Sequence, residues 1–290
     1  MRFRAMARGR GLLRTGLKAS VALALVLSLS ACASWRNRNN DTPIEEMEAQ
    51  PIFQQAEAEM EAGNPDDAAA LFLEVERLHP YSEWARRALI MATYAYHQDR
   101  DYENSRATAQ RFLDFYPADE DAAYAQYLLA LSYYDQIDQV GRDQGLTYQA
   151  LQALRVVIER YPDSEYAASA ILKFDLAFDH LASKEMEIGR YYLRRENYTA
   201  AINRFRVVVE QFQTTSHTPE ALLRLVEAYL ALGLPNEAQT AGAILGHNFQ
   251  ASPFYDDAFR LLNDQELAPE AAGESWLREI WQQTVRGEWL

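Results

Sequence analysis

The strongest constraint on this chain is a punctuation mark that recurs along it. The segments "LHPYSE", "FYPADE", "RYPDSE", "QFQTTS" and "NFQASP" each close a stretch with helical hydrophobic period. With Pro80, Pro117, Pro162, Gln213 and Gln250 as anchors, the residues twelve positions earlier are Ala68, Ser105, Ala150, Ala201 and Ala238, all small. Eight positions earlier stand Phe72, Ala109, Leu154, Phe205 and Gly242. A small side chain there lets two helices approach closely, and the residue one turn on fills the contact below it. Proline then ends the helix, because it has no N–H to donate and clashes with the preceding turn.

The anchors are 37, 45, 51 and 37 residues apart, against about 34 for a tetratricopeptide repeat. The excess has local sources: "DQIDQVGRDQG" (135–145) inserts a loop between the helices of the third unit, and "DHLASKEMEIGRYYLRRE" lengthens the first helix of the fourth. Turns such as "EAGNPDDA" and "GLPNEA" place Gly at a helix end and Pro near the next start. The reading is an all-α, tetratricopeptide-like right-handed solenoid of about five helical hairpins over residues 51–252. Phe205, Val208, Val209 and Phe212, and likewise Leu151, Leu154, Ile158 and Tyr161, form apolar stripes expected in its core.

The N-terminus carries a different signal. Residues 1–31 hold Arg2, Arg4, Arg8, Arg10, Arg14 and Lys18, no acid, and an apolar run from Ala19 to Leu29. This is the pattern of a signal peptide, and the run is short of the ~20 residues a membrane span needs. Leu29-Ser30-Ala31-Cys32 has the order of a bacterial lipobox, in which the cysteine takes an N-acyl chain and an S-diacylglycerol and becomes the first residue. Ala31-Cys32-Ala33 also fits cleavage by an ordinary signal peptidase. The lipobox reading gives the chain's single cysteine a use, with Ala33 favouring the outer membrane over retention at the inner one. Residues 32–50 then form a polar tether. Without the six signal cations, 22 basic residues face 42 acidic ones, a net charge of −20, which argues against nucleic acid as a partner.

No catalytic constellation emerges. The histidines (His79, His97, His180, His217, His247) lack ligand spacing, and no nucleophile elbow or phosphate loop is present. Gly242-x-x-x-Gly246 reads as close helix packing. Asp175, Asp179 and His180 share a helix face where a weakly held metal is conceivable and a solvated surface more natural, so neither a cofactor nor a metal is expected. Two features stand apart. Lys184, Arg190, Arg194, Arg195, Arg204 and Arg206 crowd into 23 residues of an acidic chain, either as a face paired with Glu185, Glu187 and Glu196 or as a docking patch for carboxylates. From residue 253 a linker leads to "ESWLREIWQQTVRGEWL", whose Trp276, Ile280 and Trp281 share a face, with Trp289 and Leu290 beyond. That tail suits either a partner or membrane contact or a cap folded back on the solenoid.

Taken together, "HPYSEWARRALIMATYAYHQDRDYENSRATAQRFLDFYP", "IERYPDSEYAASA" and "IGRYYLRRENYTAAINRFRVVVEQF" resemble the BamD (ComL) family. These are lipoprotein subunits of the β-barrel assembly machine (BAM complex) of the Gram-negative outer membrane. The resemblance spans about residues 29–250 and excludes the Trp-rich tail. It implies a non-catalytic scaffold, lipid-anchored on the periplasmic face through Cys32, which docks on the POTRA domains of BamA beside other BAM subunits and receives unfolded outer membrane β-barrel proteins. It also implies that Arg204, in "AAINRF", is a partner contact, with Arg190, Arg194 and Arg195 as further candidates. In this family the N-terminal repeats form the substrate groove, for which Tyr81, Trp84, Tyr94, Tyr96 and Tyr102 are the candidates here. An adaptor in peptidoglycan or division machinery is the competing reading for a secreted repeat protein.

Overall fold

The computed structural model describes residues 43–140 and 142–289. The expected signal segment, Cys32 and most of the tether lie outside the described residues, as does Leu290. After a 3-10 turn at Ile44–Glu46, twelve α-helices follow, with no strand among the described residues. They form five antiparallel hairpins: α1 (Ala49–Ala62) with α2 (Pro65–Leu78), α3 (Glu83–Gln98) with α4 (Tyr102–Phe115), α5 (Ala122–Tyr134) with α6 (Gly145–Arg160), α7 (Ala167–Leu193) with α8 (Tyr198–Gln211), and α9 (Thr218–Ala231) with α10 (Pro235–Asn248). Two further helices, α11 (Pro253–Asn263) and α12 (Trp276–Arg286), complete the chain. From α1 to α11 each helix packs on its sequence neighbour, which is the tetratricopeptide-like solenoid, and α12 packs back on α10.

Local chemistry sets the boundaries. Asp101 and Asn197 accept hydrogen bonds from the backbone N–H of Asn104 (3.2 Å) and Ala200 (3.3 Å), capping α4 and α8. Ser82 does the same for α3 through Ala85. Pro65, Pro235 and Pro253 each stand at a first helical position, where the missing N–H costs nothing. Gly63 ends α1 in the left-handed region at φ 81°. Every second helix ends two residues before its anchor, including those anchored by Gln213 and Gln250. In the fourth hairpin the hydroxyls of Thr215 and Thr218 donate to the Phe212 carbonyl (2.8 and 3.0 Å), so side chains make the stop without proline.

The small positions carry the packing. Ala68, Ser105, Ala150, Ala201 and Ala238 are all fully buried, as are Phe72, Ala109, Leu154 and Phe205. Phe205 is accommodated because Gly189 faces it: a Cβ on Gly189 would stand 2.4 Å from the ring. Gly242 and Gly246 play the packing role expected of them, meeting Leu262 and Tyr255 of α11 so closely that a Cβ would fall 2.6 and 2.5 Å away. The apolar core runs as a string of clusters rather than one mass. The largest joins hairpins four and five to the C-terminal segment, and a second unites hairpins one and two.

The segment from residue 253 onward contains α11, which packs on α9 and α10, in addition to the Trp-bearing helix. Of the two readings of the tail, the structure takes the cap. Leu277, Ile280, Thr284 and Trp289 are buried, Trp276 Nε1 donates to the Tyr229 hydroxyl (3.0 Å), and Trp289 Nε1 donates to the Val209 carbonyl (3.3 Å).

The Gly189–Phe205 contact gives a direct test. Gly189→Ala should destabilise by ~1–3 kcal/mol through overpacking, seen as a lower thermal midpoint by circular dichroism. Adding Phe205→Leu should recover part of that loss.

Candidate docking surfaces

Successive hairpins meet where the second helix of one packs on the first helix of the next (α2 on α3, α4 on α5, α6 on α7, α8 on α9). First helices also approach one another: α1 approaches α3, α3 approaches α5, and α5 approaches α7. The second helices make no comparable approach, so the stack curves with the first helices on its inner side. Along that side lies a row of tyrosines. Tyr166, which precedes α7, stacks on Tyr124 (5.1 Å, 27°) and Tyr127 (5.3 Å, 25°) of α5, and the Tyr127 hydroxyl meets Ser169 Oγ at 2.7 Å. Tyr94 of α3 adjoins Tyr124 in the same cluster. Burial pushes the Tyr124 hydroxyl well above its ordinary pKa, helped by the neighbouring tyrosines, and the Tyr166 hydroxyl is raised for the same main reason. Tyr124 and Tyr166 therefore stay protonated and neutral, able to donate hydrogen bonds, and the row as a whole offers ring faces.

The five aromatic candidates from the sequence do not converge on one surface. Tyr94 joins this row. Trp84 packs against Phe53 (5.0 Å) beneath the Arg87 guanidinium, and Tyr96 packs in the cluster of the first two hairpins, where burial and then Asp66 and Asp101 raise its pKa. Tyr102 stands edge-on to His97 (5.5 Å) and lines a polar hollow of about 500 Å3 with Gln98, Arg100 and Asp135. Tyr81 is wholly exposed at the first turn between hairpins. Tyr124, Tyr127 and Tyr166 escaped the sequence reading. Their signal was the i, i+3 pair on α5, which periodicity alone assigns to the core.

The arginines spread over four places. Arg204 of α8 pairs with Glu185 of α7 at 3.1 Å and remains 43% exposed. Arg190 pairs with Glu220 of α9 (2.9 Å), which Arg224 shares (3.3 Å) before reaching Glu227 (2.7 Å). At the hairpin tip the Arg195 guanidinium covers the Tyr191 ring (4.4 Å), and Arg194 is exposed. Arg206 points along the other flank of α8, to Glu210 (2.8 Å) and over Trp276 (4.9 Å), and is thereby committed to the tail. Pairs this exposed contribute only ~0.2–1 kcal/mol, so an incoming carboxylate can displace Glu185 from Arg204 at small cost.

On the face shared by Asp175, Asp179 and His180, two residues make structural contacts. Asp179 accepts from the Ser216 backbone and hydroxyl (3.1 and 2.8 Å), and His180 Nδ1 meets Gln144 at 3.1 Å. No group of three or more metal-ligating side chains is assembled among the described residues.

A family model described as "YfiO: Outer membrane lipoprotein" matches residues 45–244. The chain belongs to that family. A relative from Caulobacter vibrioides is 47% identical over 253 residues, covering 86% of this chain and 83% of its own. One from Rickettsia prowazekii is 42% identical (69% and 79%), and one from Neisseria meningitidis serogroup A is 30% identical (84% and 95%). Each is named "Outer membrane protein assembly factor BamD". The YfiO match covers all five hairpins up to residue 244 and leaves α11 and the Trp-bearing cap outside it. No helix among the described residues is long and apolar enough to cross a membrane.

His97 provides a pH test of the hollow beside the row. Its Nε2 lies 3.1 Å from the Asp135 carboxylate without the alignment of a hydrogen bond, and burial holds its pKa below 6.5 against the upward pull of Asp135. Between that lowered value and about 6.5 the unfolded chain binds more protons than the folded one. The stability carried by neutral His97 is thus complete above about pH 6.5 and is lost as pH falls. In urea titrations at pH 7.5 and 5.5, the midpoint of wild type relative to His97→Gln should drop at the lower pH.

Proposed function

We propose that this protein is a non-catalytic scaffold of the outer membrane β-barrel assembly machine. It docks on periplasmic POTRA domains of a BamA-type barrel subunit and helps receive unfolded outer membrane proteins. The observation that carries the reading is the 47% identity, over most of both chains, to an outer membrane protein assembly factor. The half-exposed Arg204, held by one exchangeable carboxylate, supports a docking role for that residue. Arg190, Arg194 and Arg195 extend the contact around the end of α7. The tyrosine row of α3, α5 and α7 suits extended chains of varied sequence, because aromatic faces offer large contact area at low entropic cost. Tyr81, fully exposed, extends the aromatic surface at the first turn.

The tether to the membrane is the lipid on Cys32. Each buried methylene of an acyl chain adds ~0.8 kcal/mol, so several chains on one cysteine hold the protein firmly at the periplasmic face of the outer membrane.

Arg204→Glu should reduce co-purification of the barrel subunit from solubilised membranes at least tenfold while leaving the helical spectrum unchanged. Undiminished recovery would remove Arg204 from the contact, and recovery of cell-wall enzymes in place of a barrel protein would favour the peptidoglycan adaptor. Cys32→Ala should abolish incorporation of labelled palmitate and leave the solenoid folded. Continued labelling of that variant would refute the lipobox.

A further inference from the structure

The even approach of first helices lapses at the fourth hairpin. α7 and α9 make no close run of contacts and are tied instead through Asp179, which holds Ser216 and lies 3.3 Å from His217 Nε2. Beside that tie opens a groove of about 460 Å3, lined by Leu172, Asp175, Leu176, Phe178, Asp179 and the loop 214–216. Its floor is apolar and uncovered: Leu172 is 61% exposed and Leu176 53%. Across Leu176 lies a second hollow of about 300 Å3, formed with Tyr134, Ile137, Asp138, Ala177 and His180. Leu176 is the ridge between them.

The two hollows differ in charge. The first holds two carboxylates and no Lys or Arg in its lining, and Asp175 has no cationic partner among the described residues. In the second, Asp138 is matched by Arg142 (2.9 Å), and Lys173 lies over the Tyr134 ring (5.3 Å). The first is therefore an acidic slot with an apolar floor, and the second a nearly neutral apolar seat.

We infer that this ridge docks a polypeptide segment that pairs a basic side chain with a bulky apolar one. A Lys or Arg lays its methylene stem along Leu172 and Leu176 and brings its charged head to Asp175 and Asp179. The neighbouring apolar side chain crosses Leu176 and is buried against Tyr134 and Ile137. The same two carboxylates repel acidic segments and anionic lipid surfaces, which leaves a cationic, apolar chain as the occupant. The site is independent of Arg204, which lies on α8 facing Glu185.

The test is fluorescence anisotropy of the purified full chain with a labelled ten-residue peptide built of Lys-Ser-Leu repeats, beside a control in which Glu replaces Lys. The Lys peptide should bind saturably, and the Glu peptide should not. Leu172→Ser with Leu176→Ser, and separately Asp175→Lys, should each weaken binding at least tenfold. Both alter exposed side chains, and circular dichroism checks that the helices persist. Unchanged affinity in both variants, equal binding of the Glu peptide, or no saturable binding by the wild type overturns the inference. Sedimentation gives the rival outcome: a dimer that Leu172→Ser/Leu176→Ser dissolves would assign the ridge to a second copy of the chain and overturn it too.

Discussion

Everything in this molecule rests on how closely the two helices of each hairpin approach. Helix pairs sit 8–10 Å apart according to the side chains between them, and here those side chains are Ala68, Ser105, Ala150, Ala201 and Ala238, all fully buried. A large residue at any of them would spread one hairpin and, through the stack, tilt the next. The side chains of Phe72, Leu154 and Phe205 fill the space one turn away, and where even alanine would be too large the chain uses Gly189. Because each hairpin touches only its neighbours, errors and stability both propagate linearly.

That linear construction separates the roles of the different hairpins. The ends carry the large apolar clusters, with the Trp-bearing cap sealing the last one. The middle is joined by smaller clusters and by polar and aromatic contacts: Gln126 donates to the Ala153 carbonyl, Ser132 to Ser105, and the Arg106 guanidinium lies over Tyr133. A middle of that kind offers tyrosine faces and polar hollows on its inner side. Arg190 and Arg204 of the fourth hairpin are held in partly exposed pairs that yield readily to a competing carboxylate. The cap binds Arg206 through Trp276 and leaves Arg204 uncovered, so sealing the solenoid and presenting a cation occur on opposite flanks of α8.

Much of this was legible in the sequence because repeats write their packing at fixed spacing. The five small positions, the loop at 135–145, the long first helix of the fourth hairpin and the role of Gly242 and Gly246 all follow from local pattern. The binding surfaces were far less legible. Trp84 and Tyr102 look alike in sequence, yet one packs on Phe53 and the other lines a hollow with Asp135, because that choice depends on which neighbouring helix arrives. Tyr124 and Tyr127 read as core by period, while Tyr166, forty residues on, turns them into an aromatic row.

The sequence by itself determined the all-α class, the hairpin count and the helix ends, since proline, glycine and capping side chains act within a few residues of where they stand. Only the tertiary structure decided that the tail folds back as a cap. A tryptophan-rich amphipathic tail suits membrane, partner or core equally until Tyr229 and Val209 supply acceptors for the indole N–H groups of Trp276 and Trp289. It likewise decided that Asp179 and His180, adjacent in the chain, serve different neighbours, Ser216 and Gln144. Long-range partners of this kind are set by how far each helix turns in the stack, which no local spacing records.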